Sequence, residues 1–252
     1  MDQQTLRQWE NRCIQEEPPY CQAACPLRVD GRAFVGLLAK GDASGARKIL
    51  ERTLPLPGVL GRVCEAPCEV ACKRKEAGEA IALGALERFA IVHGTPGPRP
   101  MRLPGRGQGA LVLGRGLAAL TCAWDLLKKG HGVTLRSLGA PLGGALLALP
   151  PQLLPPDVLA AELATLKALG LVIDDVPGKG TAILDMALAK GQAVFLEHGF
   201  SPETDAAYPP RAAVDPVTLA APQTGERPGL FLGGWPDEEG TTRCIDAAAD
   251  GR

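Results

Sequence analysis

The chain carries almost no net charge: 27 Lys and Arg against 28 Asp and Glu leave a formal charge of -1, with the two signs interspersed. It therefore lacks the extended basic stripe that neutralises a phosphate backbone, and nucleic acid is not an expected partner. It also lacks a long hydrophobic run. The most apolar stretch, LGGALLALPPQLLPP, is short and broken by prolines, and the opening MDQQTLRQWENR has no apolar core of the kind a signal peptide needs. Direct membrane insertion is not expected, and the reading is a cytoplasmic protein. No internal repeat or low-complexity tract is present.

Cysteine, by contrast, is concentrated. Of eight cysteines, all but Cys122 and Cys244 lie before residue 73. A reducing compartment disfavours structural disulfides and shifts the expectation to metal ligation or redox chemistry. CIQEEPPYCQAACP holds Cys13, Cys21 and Cys25, and CEAPCEVAC holds Cys64, Cys68 and Cys72. The i, i+4, i+8 spacing of the second group would let a helix set all three on one side. Neither group supplies the paired C-x2-C knuckles common in zinc sites. Iron–sulfur clusters tolerate varied spacing, and in two-cluster ferredoxins the cysteine before a proline serves the other cluster, the form Cys25-Pro26 takes. Zinc stays the alternative. Cys122 and Cys244 fall in helical patterns and read as core residues.

The 252 residues suffice for two domains, and the composition changes midway. Residues 1–93 read as helical: Phe34, Leu37 and Leu38 recur at helix spacing, as do Ala46, Ile49 and Leu50, and strand-like alternation is absent. Residues 94–109, GTPGPRPMRLPGRGQG, are too rich in proline and glycine for either ladder and read as a linker. From 110 to 252 the pattern is α/β: ALVLG is a buried strand, LAALTCAWDLLKKG a helix and HGVTLRS a second strand, which together make a β-α-β unit. GRGLAA, Gly114 to Ala119, opens that helix directly after the strand. This is the context of a dinucleotide-binding turn whose glycines let a pyrophosphate approach the helix N-terminus.

The succession of CxxxCP, PLPGVLGRVC, PCEVAC and IALGALERFA resembles the N-terminal two-cluster domain of the NADPH-dependent glutamate synthase small subunit and of dihydropyrimidine dehydrogenase. KKGHGVTL, LGG, LPPDVLAAELATLKALG and VDPVTLAAPQTGERPGLFLGG resemble the FAD-binding domain of the same family, so the resemblance spans nearly the whole chain. It implies an α+β two-domain protein: a helical, ferredoxin-like domain with two [4Fe-4S] clusters, then a Rossmann-like, FAD-binding-like domain. Carried over by motif, Cys13, Cys21 and Cys72 would hold one cluster, and Cys25, Cys64 and Cys68 the other. Each set is one ligand short. Glu16 stands where relatives commonly have a further cysteine; it is a candidate fourth ligand or a solvated acid, and an exogenous ligand would serve equally. Glu87 stands where dihydropyrimidine dehydrogenase uses a glutamine, and would either complete the second set or pair with Arg88 or a nearby lysine. Lys73, Arg74 and Lys75 would offset cluster charge, steer an acidic partner, or form a solvated face.

The flavin half departs from the family more deeply. Gly114, Arg115, Gly116, Ala119, Gly143, Gly144, Gly233 and Gly234 are the positions the resemblance assigns to FAD. The acid that usually ends the second strand is Ser137, however, and the late motif reads Gly233-Gly234-Trp235 where an aspartate is usual. Arg115 replaces a small residue and would either pair with a pyrophosphate or fill the space left by a missing dinucleotide. Between Asp175 and the VDP motif only about 38 residues remain, too few for a further nucleotide domain, so no NAD(P)H site is expected. His198, in LEHGF, has no nearby nucleophile and reads as structural. Three functions are thus in view. The first is an electron-transfer subunit that relays electrons through two clusters to larger redox subunits. The second is an FAD-containing oxidoreductase subunit, and the third a non-redox scaffold with structural metal.

Overall fold

The computed structural model describes residues 2–4, 18–98, 100–174, 177–205, 229–234 and 244–251, and the chain divides into two compact units, Met1–Pro98 and Arg99–Arg252.

The described part of the first unit is helical throughout. Its elements are α1 (Tyr20–Ala24), α2 (Gly31–Leu38), α3 (Ala43–Thr53), α4 (Pro57–Val63), α5 (Pro67–Val70), a 3-10 turn (Lys73–Ala77) and α6 (Leu83–His93). Side-chain caps start the two longer early helices: Asp30 accepts the Ala33 N–H at 3.0 Å and Asp42 the Gly45 N–H at 2.7 Å. Proline at the first helical position starts α4 and α5, each behind a residue with positive φ, Leu56 at 46° and Ala66 at 51°. Phe34, Leu50, Leu54, Leu56 and Leu60 are the fully buried centre. Helices α4 and α6 meet at Gly61, where a Cβ would stand 2.6 Å from Ile91 Cγ1.

One expected feature is corrected here. Cys64, Cys68 and Cys72 do not share a helix face: Cys64 caps the end of α4, Cys68 lies in the four-residue α5, and Cys72 follows it. Ala66 is left-handed and Pro67 has no N–H to donate, so the helix cannot run through the group.

The second unit holds β1 (Gly109–Leu113), α7 (Leu117–Lys128), β2 (Gly132–Arg136), α8 (Pro156–Ala168), β3 (Val172–Ile173), α9 (Gly180–Ala189), β4 (Ala193–Glu197), α10 (Pro202–Asp205), β5 (Leu230–Gly233) and α11 (Cys244–Asp250). The five strands are parallel in the order β3-β2-β1-β4-β5. Chain direction across the sheet reverses between β1 and β4, and in open parallel sheets such a switch point leaves a crevice at the carboxyl ends of the strands. Leu111, Leu113, Val194, Leu196, Leu230 and Leu232 pack with Ile183, Leu184 and Ala187 of α9. The strands read as continuous apolar runs because parallel strands are covered on both faces.

The Pro/Gly segment is tied down at both ends. Thr95 and Gly97 donate to Ser44 Oγ and Glu51 Oε2 within the first unit, while Leu103, Arg106 and Gly132 make backbone bonds with Lys128, Gly130 and Gln108 within the second. No helix among the described residues is long and apolar enough to cross a membrane.

Candidate metal centre and strand-end cleft

In the helical unit the described cysteines of the two groups come from α1, from the end of α4, and from α5 and the residues after it. The Cys25 N–H closes α1 on Cys21 O, and a Cβ on Gly31 would lie 3.5 Å from Cys21 Sγ, so α2 starts against that thiol. The Ala66 N–H donates to Cys64 Sγ at 3.4 Å, a bond the left-handed Ala66 makes available. Glu69 fastens α5 to the first turn of α6 by accepting the Gly84 N–H at 2.8 Å. Lys73, next to Cys72, sits 4.7 Å over the ring of Tyr20, next to Cys21. No disulfide joins the described cysteines.

The groups are electrostatically coupled. Burial pushes the Cys64 thiol up, with further upward pressure from Glu87, Cys68 and Cys25, opposed by the Ala66 N–H. Burial pushes Cys68 up to about 12, helped by Cys25, Glu87, Glu69 and Cys21. Glu87 of α6 is only 7% exposed, its Oε1 has no hydrogen-bond partner among the described residues, and burial raises it to about 8. Cys64, Cys68 and Glu87 are thus gathered where ionisation is disfavoured without a cation. This donor set fits an iron–sulfur cluster. Among the described residues no three His, Cys, Asp or Glu side chains close around a single metal ion.

Of the expected ligands, Cys25, Cys64, Cys68 and Glu87 are brought into one electrostatic group, and Cys21 reaches it through Cys68. Cys72 is buried, after α5. Cys13 and Glu16 lie outside the described residues. Arg88 does not pair with Glu87; it donates to Arg62 O at 2.7 Å. The three basic residues after Cys72 make local bonds: Lys73 to Glu76, Arg74 to Glu79 O and Lys75 to Val70 O.

In the α/β unit a cleft of about 560 Å³ opens at the carboxyl ends of the strands. Its walls include Arg115, Gly116, Gly143, Gly144, Gly234 and His198. Gly233 lies in β5 beside Glu197 of β4, Ala119 is buried in the first turn of α7, and Ser137 is buried after β2; Trp235 lies outside the described residues. Cys122 is buried in α7, whereas Cys244, at the head of α11, lines the cleft. The cleft floor holds a residue that pattern reading passed over. Glu197 Oε2 accepts the N–H groups of Arg115 at 2.8 Å and Gly116 at 2.7 Å, and Oε1 accepts that of Ala119 at 3.1 Å. Burial pushes Glu197 upward while these amides and that of Ala118 pull it back. The signal was an acid ending an otherwise apolar strand, AVFLE.

Residues 1–95 match the family described as dihydropyrimidine dehydrogenase domain II, 4Fe-4S cluster. Residues 1–95 belong to that 4Fe-4S domain family, and the chain is similar to several oxidoreductase subunits. It is 30% identical over 206 residues to the NADP(+)-dependent formate dehydrogenase subunit beta of Moorella thermoacetica, covering 71% of this chain and 29% of that one. It is 30% identical over 198 residues to the NAD-dependent dihydropyrimidine dehydrogenase subunit PreT of Escherichia coli K12, covering 76% and 48%. The NADPH glutamate synthase small chain of Mycobacterium tuberculosis H37Rv is 33% identical over 149 residues, covering 58% and 30%. The chain thus spans less than half the length of each of these relatives.

Proposed function

We propose that the chain is an electron-transfer subunit of a larger cytoplasmic oxidoreductase, passing single electrons through two [4Fe-4S] clusters held in its helical unit. The observation that carries this reading is the group of Cys25, Cys64, Cys68 and Glu87, in which Cys25 and Glu87 are buried and Glu87 Oε1 is unpartnered among the described residues, inside the segment that matches a 4Fe-4S domain. Cys25, Cys64, Cys68 and Glu87 would hold one cluster; Cys13, Cys21 and Cys72 would hold the other, with Glu16 completing it. Bound clusters supply one-electron chemistry. The chain's own part is to place the thiolates, exclude water around them, and donate the Ala66 N–H to Cys64 Sγ, which tunes potential through the sulfur.

The α/β unit, a degenerate FAD-binding-like domain in this reading, would dock the cluster domain on larger redox subunits. The relatives' names support this setting, since each is a chain or subunit of an oxidoreductase. The cleft at the strand ends favours the second reading, a flavin-containing subunit. Its floor, formed by Glu197, stands against it.

The deciding measurement is iron, sulfide, zinc and flavin per chain in an anaerobic preparation, with EPR after reduction. The expected result is about eight iron and eight sulfide, reducible, from two four-iron clusters. Zinc without iron, or clusters that accept no electron, would replace the relay with a structural metal scaffold.

A further inference from the structure

We infer that the Glu197 carboxyl is an internal acceptor seated where a dinucleotide's diphosphate would bind, so that the α/β unit keeps a nucleotide-binding topology but takes no FAD. A strand-to-helix turn rich in glycine binds diphosphate because its backbone N–H groups point at the ligand and no Cβ keeps the ligand away. In this chain both properties are used on Glu197. The N–H groups of Arg115 and Gly116 reach one carboxylate oxygen at 2.8 and 2.7 Å, and that of Ala119 reaches the other at 3.1 Å.

The glycines point the same way. A Cβ on Gly114 would stand 2.7 Å from both Glu197 Cβ and Oε2; one on Gly116 would stand 2.8 Å from Oε1; one on Gly234 would stand 3.1 Å from Cγ. Three positions that the dinucleotide reading assigns to cofactor approach therefore make room for this side chain. Glu197 is 6% exposed and its two oxygens accept three backbone N–H groups, so the seat is filled without a ligand. A diphosphate entering would have to displace the Glu197 carboxyl from the amides it needs, and although Arg115 lines the cleft, Ser137 stands in place of the ribose-binding acid.

This inference rests on the α/β unit alone and not on the cluster reading; iron counted in the same samples keeps the two separable. The full-length chain, purified anaerobically, is titrated with FAD, followed by flavin fluorescence, and with ADP as a diphosphate probe, followed by calorimetry. Wild type is expected to show no saturable binding of either, and Glu197→Ala to strengthen ADP binding at least about tenfold. Wild type that carries or saturably binds about one FAD per chain overturns the inference, as does a folded Glu197→Ala chain that binds ADP no better than wild type. If Glu197→Ala does not fold, amide hydrogen exchange on wild type decides. Slow exchange at Arg115, Gly116 and Ala119 that FAD leaves unchanged supports the inference; rapid exchange there, or protection gained on adding FAD, refutes it.

Discussion

Glu197 and Gly116 are 81 residues apart in the chain and are joined by a hydrogen bond of 2.7 Å from the Gly116 N–H to Oε2. An acid from the end of β4 thereby caps the first turn of α7, a helix whose own N-cap glycine offers no side-chain bond. Two further amides share the same carboxylate, so the contact is structural whatever the cleft above it does.

Glu197→Ala should therefore destabilise the α/β unit by about 3 kcal/mol, from leaving buried N–H groups unpaired. Glu197→Gln, which keeps one acceptor oxygen but turns an NH2 toward donors, should cost about 1 to 2 kcal/mol. Urea unfolding followed by fluorescence of Trp124, buried in α7, reads both. Equal stability of all three chains would mean that the amides find other partners.

Burial alone holds Glu87 protonated, and the sign of its effect on stability follows. Its value in the folded, iron-free chain is about 8 against an ordinary 4.5. Below the ordinary value the proton is present folded or unfolded and nothing is lost. As pH rises the unfolded chain gives up the proton first, so stability drains away, and the loss is complete once pH passes the folded value. The stability of iron-free wild type relative to Glu87→Gln should thus fall by about 4 kcal/mol between pH 4.5 and pH 8. Loading iron should abolish that dependence if the carboxylate becomes a ligand. Denaturant midpoints of the two chains across pH, with and without iron, measure it, and parallel midpoints would assign Glu87 no buried charge cost.

Much of the helical unit was legible in its residue types. Caps, proline starts and apolar spacing are local signals, and cysteines declare themselves because few other roles explain six of them in two short groups. The misreading at Cys64, Cys68 and Cys72 came from spacing considered without Pro67, whose missing N–H breaks the helix between the first and second of them. Glu197 was hidden for a different reason. A charged residue at a strand end normally faces water, and only the parallel pairing of β1 with β4 brings it to a turn 78 to 82 residues earlier. The glycines of that turn look the same whether they admit a diphosphate or a carboxylate.

The proposed ligand sets make a prediction that separates the two clusters. Glu87→Cys should keep about eight iron per chain and alter the EPR signal of one cluster, while Cys72→Ala should alter the other. Iron analysis with EPR at successive potentials checks it. If both substitutions change the same signal, the division of ligands is wrong.

Gly61 tests whether helix spacing governs cluster assembly. It lies on α4, three residues before Cys64, and its missing side chain lets Ile91 of α6 pack against the α4 backbone. Glu87 is carried on the same helix α6, one turn before Ile91. A Cβ at Gly61 would stand 2.6 Å from Ile91 Cγ1, closer than packed carbons tolerate, so Gly61→Ala must push α4 and α6 apart or turn Ile91 out of its rotamer. The expected cost is about 1 to 3 kcal/mol. Because Cys64 and Glu87 ride on the two helices being separated, iron content should fall in the cluster that uses them while the Cys72 cluster is retained. Adding Ile91→Ala, which removes Cγ1 and Cγ2 from the clash, should restore part of both stability and iron relative to Gly61→Ala alone. Restoration of stability without iron would show that the ligands do not depend on this helix contact.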